Sequence, residues 1–316
     1  MLNNVLRLIP KPILKQCIKL APPSRVSEVK GVRSNTGKEI SGFIIGCPLL
    51  PIQMLKLDTN FVLKRIIAAG KIAQNLGAKI VGLGAYTSVV ADKGYTIAQN
   101  LEIGVTTGSS YTAWLALEAI ARTIKKRGID LNKMTVAIIG ATGAIGALCA
   151  KRLCREINKI LITAKHIEKL EKLKEDLSKI NPVEVIIEMD VHQAVKDVDI
   201  VITTTSAPEA LLDINEFKHG AIVCDVSIPE NVTGELKMGK EVTLIKGGLA
   251  KLPSEVRFGF PTGLPKGIIY GCIAETMILT LESRFEDYSL GDNIDLAKLD
   301  EIAMMAKRHG FEVAIE

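Results

Sequence analysis

The sequence predicts an α/β fold with a central, doubly wound parallel sheet. From residue 135 onward, short segments rich in Val and Ile alternate with segments of helical periodicity, which is the rhythm of strands joined by crossover helices. A glycine-rich turn follows the first of these strands, as in nucleotide-binding units of the Rossmann type. Hydrophobic residues make up 47% of the 316 residues and aromatic residues only 4%. Aliphatic side chains must therefore fill the core, as they do around buried parallel strands.

We expect three parts along the chain. These are an N-terminal α/β domain over residues 1–130, a central Rossmann domain over residues 131–255, and a C-terminal helical segment over residues 256–316. The last helices are expected to pack back on the N-terminal domain, so that a cleft between the domains holds cofactor and substrate.

Composition excludes several classes of function. The net charge of +5 comes with no long basic block, which argues against nucleic-acid binding. No apolar stretch reaches the roughly 20 residues of a membrane-spanning helix, and the first residues lack the continuous apolar run of a signal peptide. The six cysteines include no C-x-x-C pair and do not cluster with the four histidines. We therefore expect no metal site and a reducing, cytoplasmic location.

The N-terminal domain begins with a predicted hairpin over residues 26–47, with its turn at residues 35–38. A helix ended by Gly77 is predicted from apolar residues at helical spacing, namely Val62, Ile66, Ala69 and Ala73. A short buried strand is predicted at residues 79–84. A second helix is predicted over residues 111–126, with one apolar face formed by Trp114, Leu117, Ala121 and Ile124.

The central domain is predicted to contain six strands. Their sequences are TVAII, KILIT, VEVII, DIVIT, AIVCD and VTLIK, beginning at residues 135, 159, 183, 199, 221 and 242. Helices are predicted over residues 144–155 and 167–177, and after Pro265 over residues 268–285 and 296–308.

The glycines of GATGAIG, at residues 140–146, are spaced G-x-x-G-x-x-G between the first strand and its helix. Small residues let the backbone turn sharply and approach a pyrophosphate, while the helix N-terminus supplies N–H groups and a positive dipole. The sequence therefore predicts a dinucleotide site formed by Gly140, Thr142, Gly143, Ala144, Ile145 and Gly146. The alternative is a tight strand–helix turn that binds nothing.

The end of the second strand predicts NADP rather than NAD. An NAD site usually has Asp or Glu there to bind the ribose 2′-hydroxyl, but this strand ends in Ala164 and Lys165. Lys165 can attract a 2′-phosphate, with Lys169 as a weaker candidate; the alternative is an ordinary surface lysine. After the fourth strand, the hydroxyls of Thr204 and Ser206 are predicted to contact the ribose or nicotinamide, or else to cap the next turn.

Among the cysteines, Cys272 differs because it follows a glycine near the start of a predicted helix, after the loop PTGLPKG. A thiolate near a helix N-terminus is stabilised and can act as a nucleophile. The residues alone leave open the alternative that Cys272 is a small core residue.

Over residues 22–311 the chain resembles the long-chain acyl-[acyl-carrier-protein] reductases of the cyanobacterial, fatty aldehyde-forming type. The matching segments are SNTGKEISG, VGLGAYTSVV, TTGSSYTA, GIDLNKMTVAIIGATGAIG, CIAETMILTLE, GDNIDLAKL and KRHGF. The resemblance implies that Cys272 is the acylated nucleophile and that NADPH is the hydride donor. The chain departs from the family at Tyr111, which is histidine there, at DVSIP over residues 225–229, which is GGYP there, and at Leu290, which is tryptophan there.

The implied reaction has two steps. Cys272 attacks a fatty acyl thioester, carried by acyl carrier protein or coenzyme A, and reduction by NADPH then releases a fatty aldehyde from the acyl-enzyme. Ser109, Ser110 and Tyr111 are predicted to line the substrate pocket, the alternative being that they cap a helix. His309 is a candidate for proton transfer or, alternatively, a helix-end residue.

Two rival functions also fit the central domain. One is an NADP-dependent dehydrogenase of the shikimate or amino-acid type, but the N-terminal part has no N-V-T-x-P-x-K segment to supply its lysine. The other is a regulatory protein that senses NADP and has no need of Cys272.

Overall fold

The computed structural model describes residues 18–315, and an antiparallel hairpin comes first in it. Strand β1 (Ser24–Arg33) pairs with strand β2 (Glu39–Gly46). The turn predicted at residues 35–38 is confirmed, and its Gly37 has a φ of +85°, a conformation that favours glycine.

Short strands and helices continue the N-terminal part. They are α1 (Pro51–Lys56), α2 (Thr59–Asn75), β3 (Ile80–Gly82), α3 (Tyr95–Ala98), β4 (Gly104–Thr106) and α4 (Ser109–Arg127). Helix α2 begins where the carboxylate of Asp58 accepts a hydrogen bond from the backbone N–H of Phe61 at 2.9 Å. It ends before Gly77, as predicted, and β3 pairs in parallel with β4.

A six-stranded parallel sheet forms the central part. Its elements are β5 (Thr135–Ile139), α5 (Ala144–Leu153), β6 (Lys159–Thr163), α6 (Ile167–Ile180), β7 (Glu184–Ile187), α7 (Val191–Ala194), β8 (Ile200–Thr203), β9 (Leu212–Asp213), β10 (Ile222–Asp225), β11 (Val232–Thr233) and β12 (Thr243–Lys246), of which β9 and β11 pair separately. The strand order is β12-β10-β8-β5-β6-β7, the doubly wound arrangement of a Rossmann sheet. The fold prediction is confirmed, and each predicted strand lies within one residue of its predicted bounds. Strand order reverses between β5 and β8, where ligands of such sheets bind.

The C-terminal part returns to the N-terminal elements. It consists of β13 (Leu249–Lys251), β14 (Ile268–Tyr270), α8 (Gly271–Leu281), α9 (Leu296–His309) and β15 (Glu312–Val313). The predicted helix over residues 268–285 is wrong at its start, because β14 pairs with β13, which also pairs with β15. The predicted packing is confirmed: α8 lies against β2, β3 and α4, and α9 lies against α4. Within residues 18–315, no helix is long and apolar enough to cross a membrane.

Helix α4 lies at the centre of these contacts, and its predicted apolar face is confirmed only in part, since Ile124 is buried and Trp114 and Leu117 pack against the core. Trp114 and Leu117 are only partly buried and Ala121 is exposed, whereas Leu115 and Ile120 are buried. The reason is that α5, α8 and α9 pack on different sides of the helix, so burial does not follow a single stripe.

Candidate active site

An apolar cavity of about 720 Å³ lies between the hairpin, α2, β3 and α8. Its volume falls within the roughly 300–1,000 Å³ of small-molecule sites. Most of the side chains on its walls are aliphatic, and they include Val29, Val32, Ile40, Ile44, Ile66, Ala69, Ala73, Ile80, Leu83, Ile273 and Met277.

The cavity is elongated along helix α8. Cys272, Thr276 and Thr280 all line it, and eight residues of helix at 1.5 Å per residue span about 12 Å. Gly82 lies against Thr276, and Gly104, which pairs with Ile80, lies against Phe285 beyond the end of α8, so β3 runs beside this helix in the opposite sense. Ala73, whose carbonyl accepts a hydrogen bond from the backbone N–H of Ala78 at 3.1 Å, lies at the end away from Cys272.

Cys272 is the second residue of α8, and its partly buried side chain lines the cavity. Burial raises the pKa of this thiol to about 11, hydrogen bonds from the backbone N–H groups of Ala85 and Ile273 lower it, and the charge of Glu275 raises it. The net direction is opposite to the one expected from the helix N-terminus alone, because the surroundings remove the thiolate from water. The free thiol is therefore mainly protonated at neutral pH.

The turn that faces Cys272 is strained. Ala85 has a φ of +49°, in the left-handed region where L-residues are rare. Its conformation is held by local hydrogen bonds: Thr87 Oγ1 donates to the carbonyl of Gly84, and Ser88 Oγ donates to the carbonyl of Ala85, each at 2.7 Å. Strain of this kind often marks functional sites. No sequence signal identified this turn.

Gly108 packs directly against Cys272. It is the N-cap of α4 with a φ of +75°, and an added Cβ would lie 3.0 Å or less from Cα, Cβ and the carbonyl carbon of Cys272. The buried carboxylate of Glu275, one turn after Cys272, accepts hydrogen bonds from Thr106 Oγ1 at 2.5 Å and from the backbone N–H of Tyr111 at 2.7 Å. This carboxylate thus joins the start of α4 to α8.

The three residues predicted to line the substrate pocket lie in this junction. Ser109 shares a hydrogen bond with Thr107 at 2.8 Å, and Ser110 Oγ accepts one from Ser289 Oγ at 2.7 Å. Tyr111 is buried and stacks on a neighbouring tryptophan. Ser109, Ser110 and Tyr111 are not among the residues that line the cavity, so the structure places them at the junction of α4 and α8 rather than on the cavity wall.

The glycine loop lies at the strand-order reversal of the sheet. Gly140 has a φ of +85°, and an added Cβ at Gly146 would lie 2.5 Å from the carbonyl oxygen of Gly140 and 2.8 Å from Thr204 Oγ1. These two glycines are needed for the turn and for close packing. Gly143, the N-cap of α5, has only ordinary contacts, since an added Cβ would lie 3.4 Å from its nearest neighbour, the carbonyl oxygen of Gly140. The rest of the predicted loop, Thr142, Ala144 and Ile145, leads into the first turn of α5.

At the end of β6, Ala164 is partly buried and Lys165 is exposed. Lys165 has no ion-pair partner within residues 18–315, whereas Lys169 lies 3.7 Å from Asp292, which also pairs with Lys93. Of the two lysines predicted to bind a 2′-phosphate, Lys165, the first candidate, is thus the one without an ion-pair partner among the described residues.

The loop after β8 contacts both the glycine loop and the wall of the apolar cavity. Thr204 Oγ1 donates to the carbonyls of Ile139 and Gly140 at 3.1 and 3.2 Å, so it supports the glycine turn. Ser206 is exposed, and its carbonyl accepts a hydrogen bond from Tyr86 Oη at 3.4 Å. Because Tyr86 also lines the apolar cavity, this contact brings the edge of the Rossmann crevice to the cavity wall.

The remaining cysteines differ from Cys272 in their surroundings. Cys149, Cys154 and Cys224 are buried, and burial raises the pKa of each. Cys47 lines the same cavity, and burial raises its pKa while the charge of Arg65 lowers it. Cys17 lies outside the described residues.

His309 lies at a helix end away from the cavity lining. Its Nδ1 lies 2.7 Å from Ser34 Oγ and its Nε2 lies 3.0 Å from Glu282 Oε1, while burial lowers its pKa. It joins the hairpin turn to α8 and α9, in line with the helix-end alternative.

Comparisons with known proteins give one family match over part of the chain and two relatives that are similar over most of it. Residues 119–246 match the family Shikimate / quinate 5-dehydrogenase. Over 310 residues the chain is 27% identical to a long-chain acyl-[acyl-carrier-protein] reductase of Synechococcus elongatus, a match that covers 92% of this chain and 88% of the relative. It is also 27% identical over 287 residues to the aminotransferase PigE of Serratia sp., covering 89% of this chain but only 33% of that protein.

Solved structures resemble a smaller part of the chain. A Thermococcus litoralis Delta(1)-pyrroline-2-carboxylate reductase, in complex with NADH and L-proline, is 22% identical with a TM-score of 0.31, over 38% of this chain and 37% of that chain. The nucleotide binding domain of glutamyl-tRNA reductase from Thermoplasma volcanium is 16% identical with a TM-score of 0.29, over 41% of this chain and 84% of that chain.

Proposed function

We propose that this protein reduces a fatty acyl thioester to a fatty aldehyde, with Cys272 as the acylated nucleophile and NADPH as the hydride donor. The observation that carries the proposal is that the Cys272 thiol lines an apolar cavity whose wall is in contact with the edge of the Rossmann crevice. The nearly full-length similarity to an acyl-[acyl-carrier-protein] reductase supports the same reaction.

An apolar, elongated cavity suits an unbranched hydrocarbon chain. Each buried methylene contributes about 0.8 kcal/mol of transfer free energy, so affinity should rise with acyl length until the chain reaches the end near Ala73. The acyl carbonyl would then lie at the other end, beside Cys272. This placement makes the cavity the determinant of acyl length.

In the first step, Cys272 loses its proton as its sulfur attacks the carbonyl carbon of the thioester, and the carrier leaves as a thiol when its C–S bond breaks and its sulfur takes up that proton. The backbone N–H groups of Ala85 and Ile273, which lower the pKa of the thiol, belong to residues that line the cavity with Cys272, and they would stabilise the oxygen that becomes negative. The thioester to the carrier is replaced by a thioester to Cys272, so the acyl group stays reactive enough to be reduced in the second step.

The glycine loop fits a dinucleotide. Gly143 has no steric need to lack a side chain within the protein, whereas a pyrophosphate approaching the N-terminus of α5 requires that open backbone. Lys165 would bind the 2′-phosphate. Bound there, the reduced nicotinamide supplies a hydride to the acyl carbon.

A dehydrogenase that acts on a polar hydroxy acid has less support. The match to the shikimate and quinate dehydrogenases covers residues 119–246, and this range includes none of the residues that line the cavity. A mainly aliphatic wall also provides few hydrogen-bonding partners for a carboxylate and several hydroxyls.

The test supplies the purified protein with NADPH and acyl thioesters of several lengths, carried either by coenzyme A or by acyl carrier protein. We expect one fatty aldehyde for each NADPH oxidised. Cys272→Ala should abolish the aldehyde, whereas Cys47→Ala, a change of the other cysteine on the cavity wall, should retain most of it. Oxidation of shikimate-like hydroxy acids, with no aldehyde from any thioester, would contradict the proposal.

A further inference from the structure

Tyr86 is a buried phenol at the place where the cavity meets the Rossmann crevice. Its side chain is 5% exposed and lines the cavity that contains Cys272. Its Oη donates to the carbonyl of Ser206 across 3.4 Å, while O–H···O hydrogen bonds are ordinarily about 2.7–2.8 Å long. The bond is weak, so this hydroxyl is available to a better acceptor.

Tyr86 follows the strained residue Ala85, which lines the cavity together with Cys272. Ala85, Tyr86 and Cys272 all line the cavity, the backbone N–H of Ala85 lowers the pKa of the Cys272 thiol, and the hydrogen bonds described above hold this turn in its left-handed conformation. Consecutive residues therefore place a backbone N–H on the cavity wall shared with Cys272 and a phenol hydroxyl toward the crevice. Two donors on one rigid turn form an arrangement that can stabilise a developing oxyanion.

We propose that Tyr86 is a catalytic residue of the reduction step, in which its hydroxyl donates a hydrogen bond to the acyl oxygen of the Cys272 acyl-enzyme. The proposal rests on the proposed function. Hydride from the reduced nicotinamide adds to the acyl carbon, which is thereby reduced, and the C=O electron pair moves onto the oxygen. That pair then re-forms the C=O bond of the aldehyde while the C–S bond breaks, and Cys272 leaves as a thiolate.

The hydroxyl acts as a donor and does not give up its proton. Burial raises the pKa of Tyr86 above its ordinary value, which keeps the phenol protonated at neutral pH. Its position beside the crevice assigns it to the step that involves the cofactor, whereas the backbone donors around the sulfur serve both steps.

The test compares Tyr86→Phe with the wild type and with Tyr95→Phe, a control whose 51% exposed side chain does not line the cavity. Acyl-enzyme formation is followed by intact mass without NADPH. The hydrogen bond is followed by the infrared stretch of a ¹³C-labelled thioester carbonyl in the acyl-enzyme, again without NADPH. The reduction rate is then measured in a single turnover after NADPH is added.

For Tyr86→Phe we expect acylation within about twofold of the wild type, a carbonyl band at higher wavenumber, and a reduction rate lower by about 10²-fold, the typical effect of removing one oxyanion donor. Tyr95→Phe should match the wild type in all three. An unchanged band together with an unchanged reduction rate in Tyr86→Phe would overturn the proposal and leave Tyr86 as a structural contact. Absence of an acyl-enzyme in the wild type would overturn the proposed function itself, so the two failures are distinguishable.

Discussion

Replacing Gly108 by alanine tests whether the nucleophile is positioned by direct contact with the start of α4. The added methyl group would occupy space already taken by the Cα, Cβ and carbonyl carbon of Cys272. None of these three atoms is the flexible end of a side chain, so α4 and α8 must move apart. Gly128→Ala is a matched control at the other end of the same helix, because Gly128 also has a positive φ, +64°, with nothing within 4 Å of an added Cβ.

The expected loss of stability has two contributions, the cost of a left-handed backbone conformation and the cost of overpacking. A left-handed conformation costs an L-residue about 1–2 kcal/mol, which is the whole loss expected for Gly128→Ala. At Gly108, overpacking adds about 1–3 kcal/mol, so the free energy of unfolding should fall by about 2–5 kcal/mol. Movement of Cys272 should also shift its sulfur relative to the turn at Ala85 on the cavity wall and slow acylation.

The assay combines thermal unfolding with acylation followed by intact mass. Gly108→Ala should show the larger fall in melting temperature and a slower gain of acyl mass, while Gly128→Ala should acylate like the wild type. Equal losses of stability in the two variants, with equal acylation rates, would refute the reasoning that Gly108 holds the nucleophile in place.

Further predictions concern the cofactor loop, the cavity and the thiol. Gly143→Val should weaken NADPH binding, measured by fluorescence titration, with little change in melting temperature, whereas Gly146→Val should lower the melting temperature because of its close packing; the reverse pattern would contradict this division. Lys165→Asp should weaken NADPH binding by about 1–3 kcal/mol and spare NADH; an equal effect on both cofactors would show that the lysine does not bind the 2′-phosphate. Ala73→Leu should shift the aldehyde products toward shorter chains, and an unchanged length profile would mean that this end of the cavity does not limit the acyl group. Alkylation of Cys272 should speed up about tenfold per pH unit from pH 7 to 10, because the thiolate is the reactive form and its pKa is raised to about 11; a plateau below pH 9 would contradict that direction.

The strands and the glycine loop could be predicted because their signals are local. Each strand is a run of β-branched and aliphatic residues, and the glycine spacing directly reflects a tight turn followed by a helix. The start of α8 was misplaced for the opposite reason. The strand Ile268–Tyr270 exists only because Leu249–Lys251 pairs with it, and the sequence does not show that pairing.

Features of the candidate site that depend on burial and packing were either not predicted from the sequence or predicted in the wrong direction. The positive φ of Ala85 has no sequence signal, since alanine is normally right-handed or extended. The helix N-terminus indicated a lowered pKa for Cys272, but burial outweighs that local effect. Glu275 lies within the CIAET segment, yet its role in joining α8 to α4 appears only when the two helices are packed together.

The most direct test of the acyl-enzyme is the mass of the intact protein after mixing with a long-chain acyl thioester, without NADPH. The wild type should gain one acyl group, located on the peptide that contains Cys272, and should lose it as aldehyde when NADPH is added. Cys272→Ser should keep its fold and NADPH binding but gain no acyl group, because a free hydroxyl is a much weaker acid and a much weaker nucleophile than a thiol. Acylation located on Cys47, or full aldehyde production by Cys272→Ser, would contradict the account.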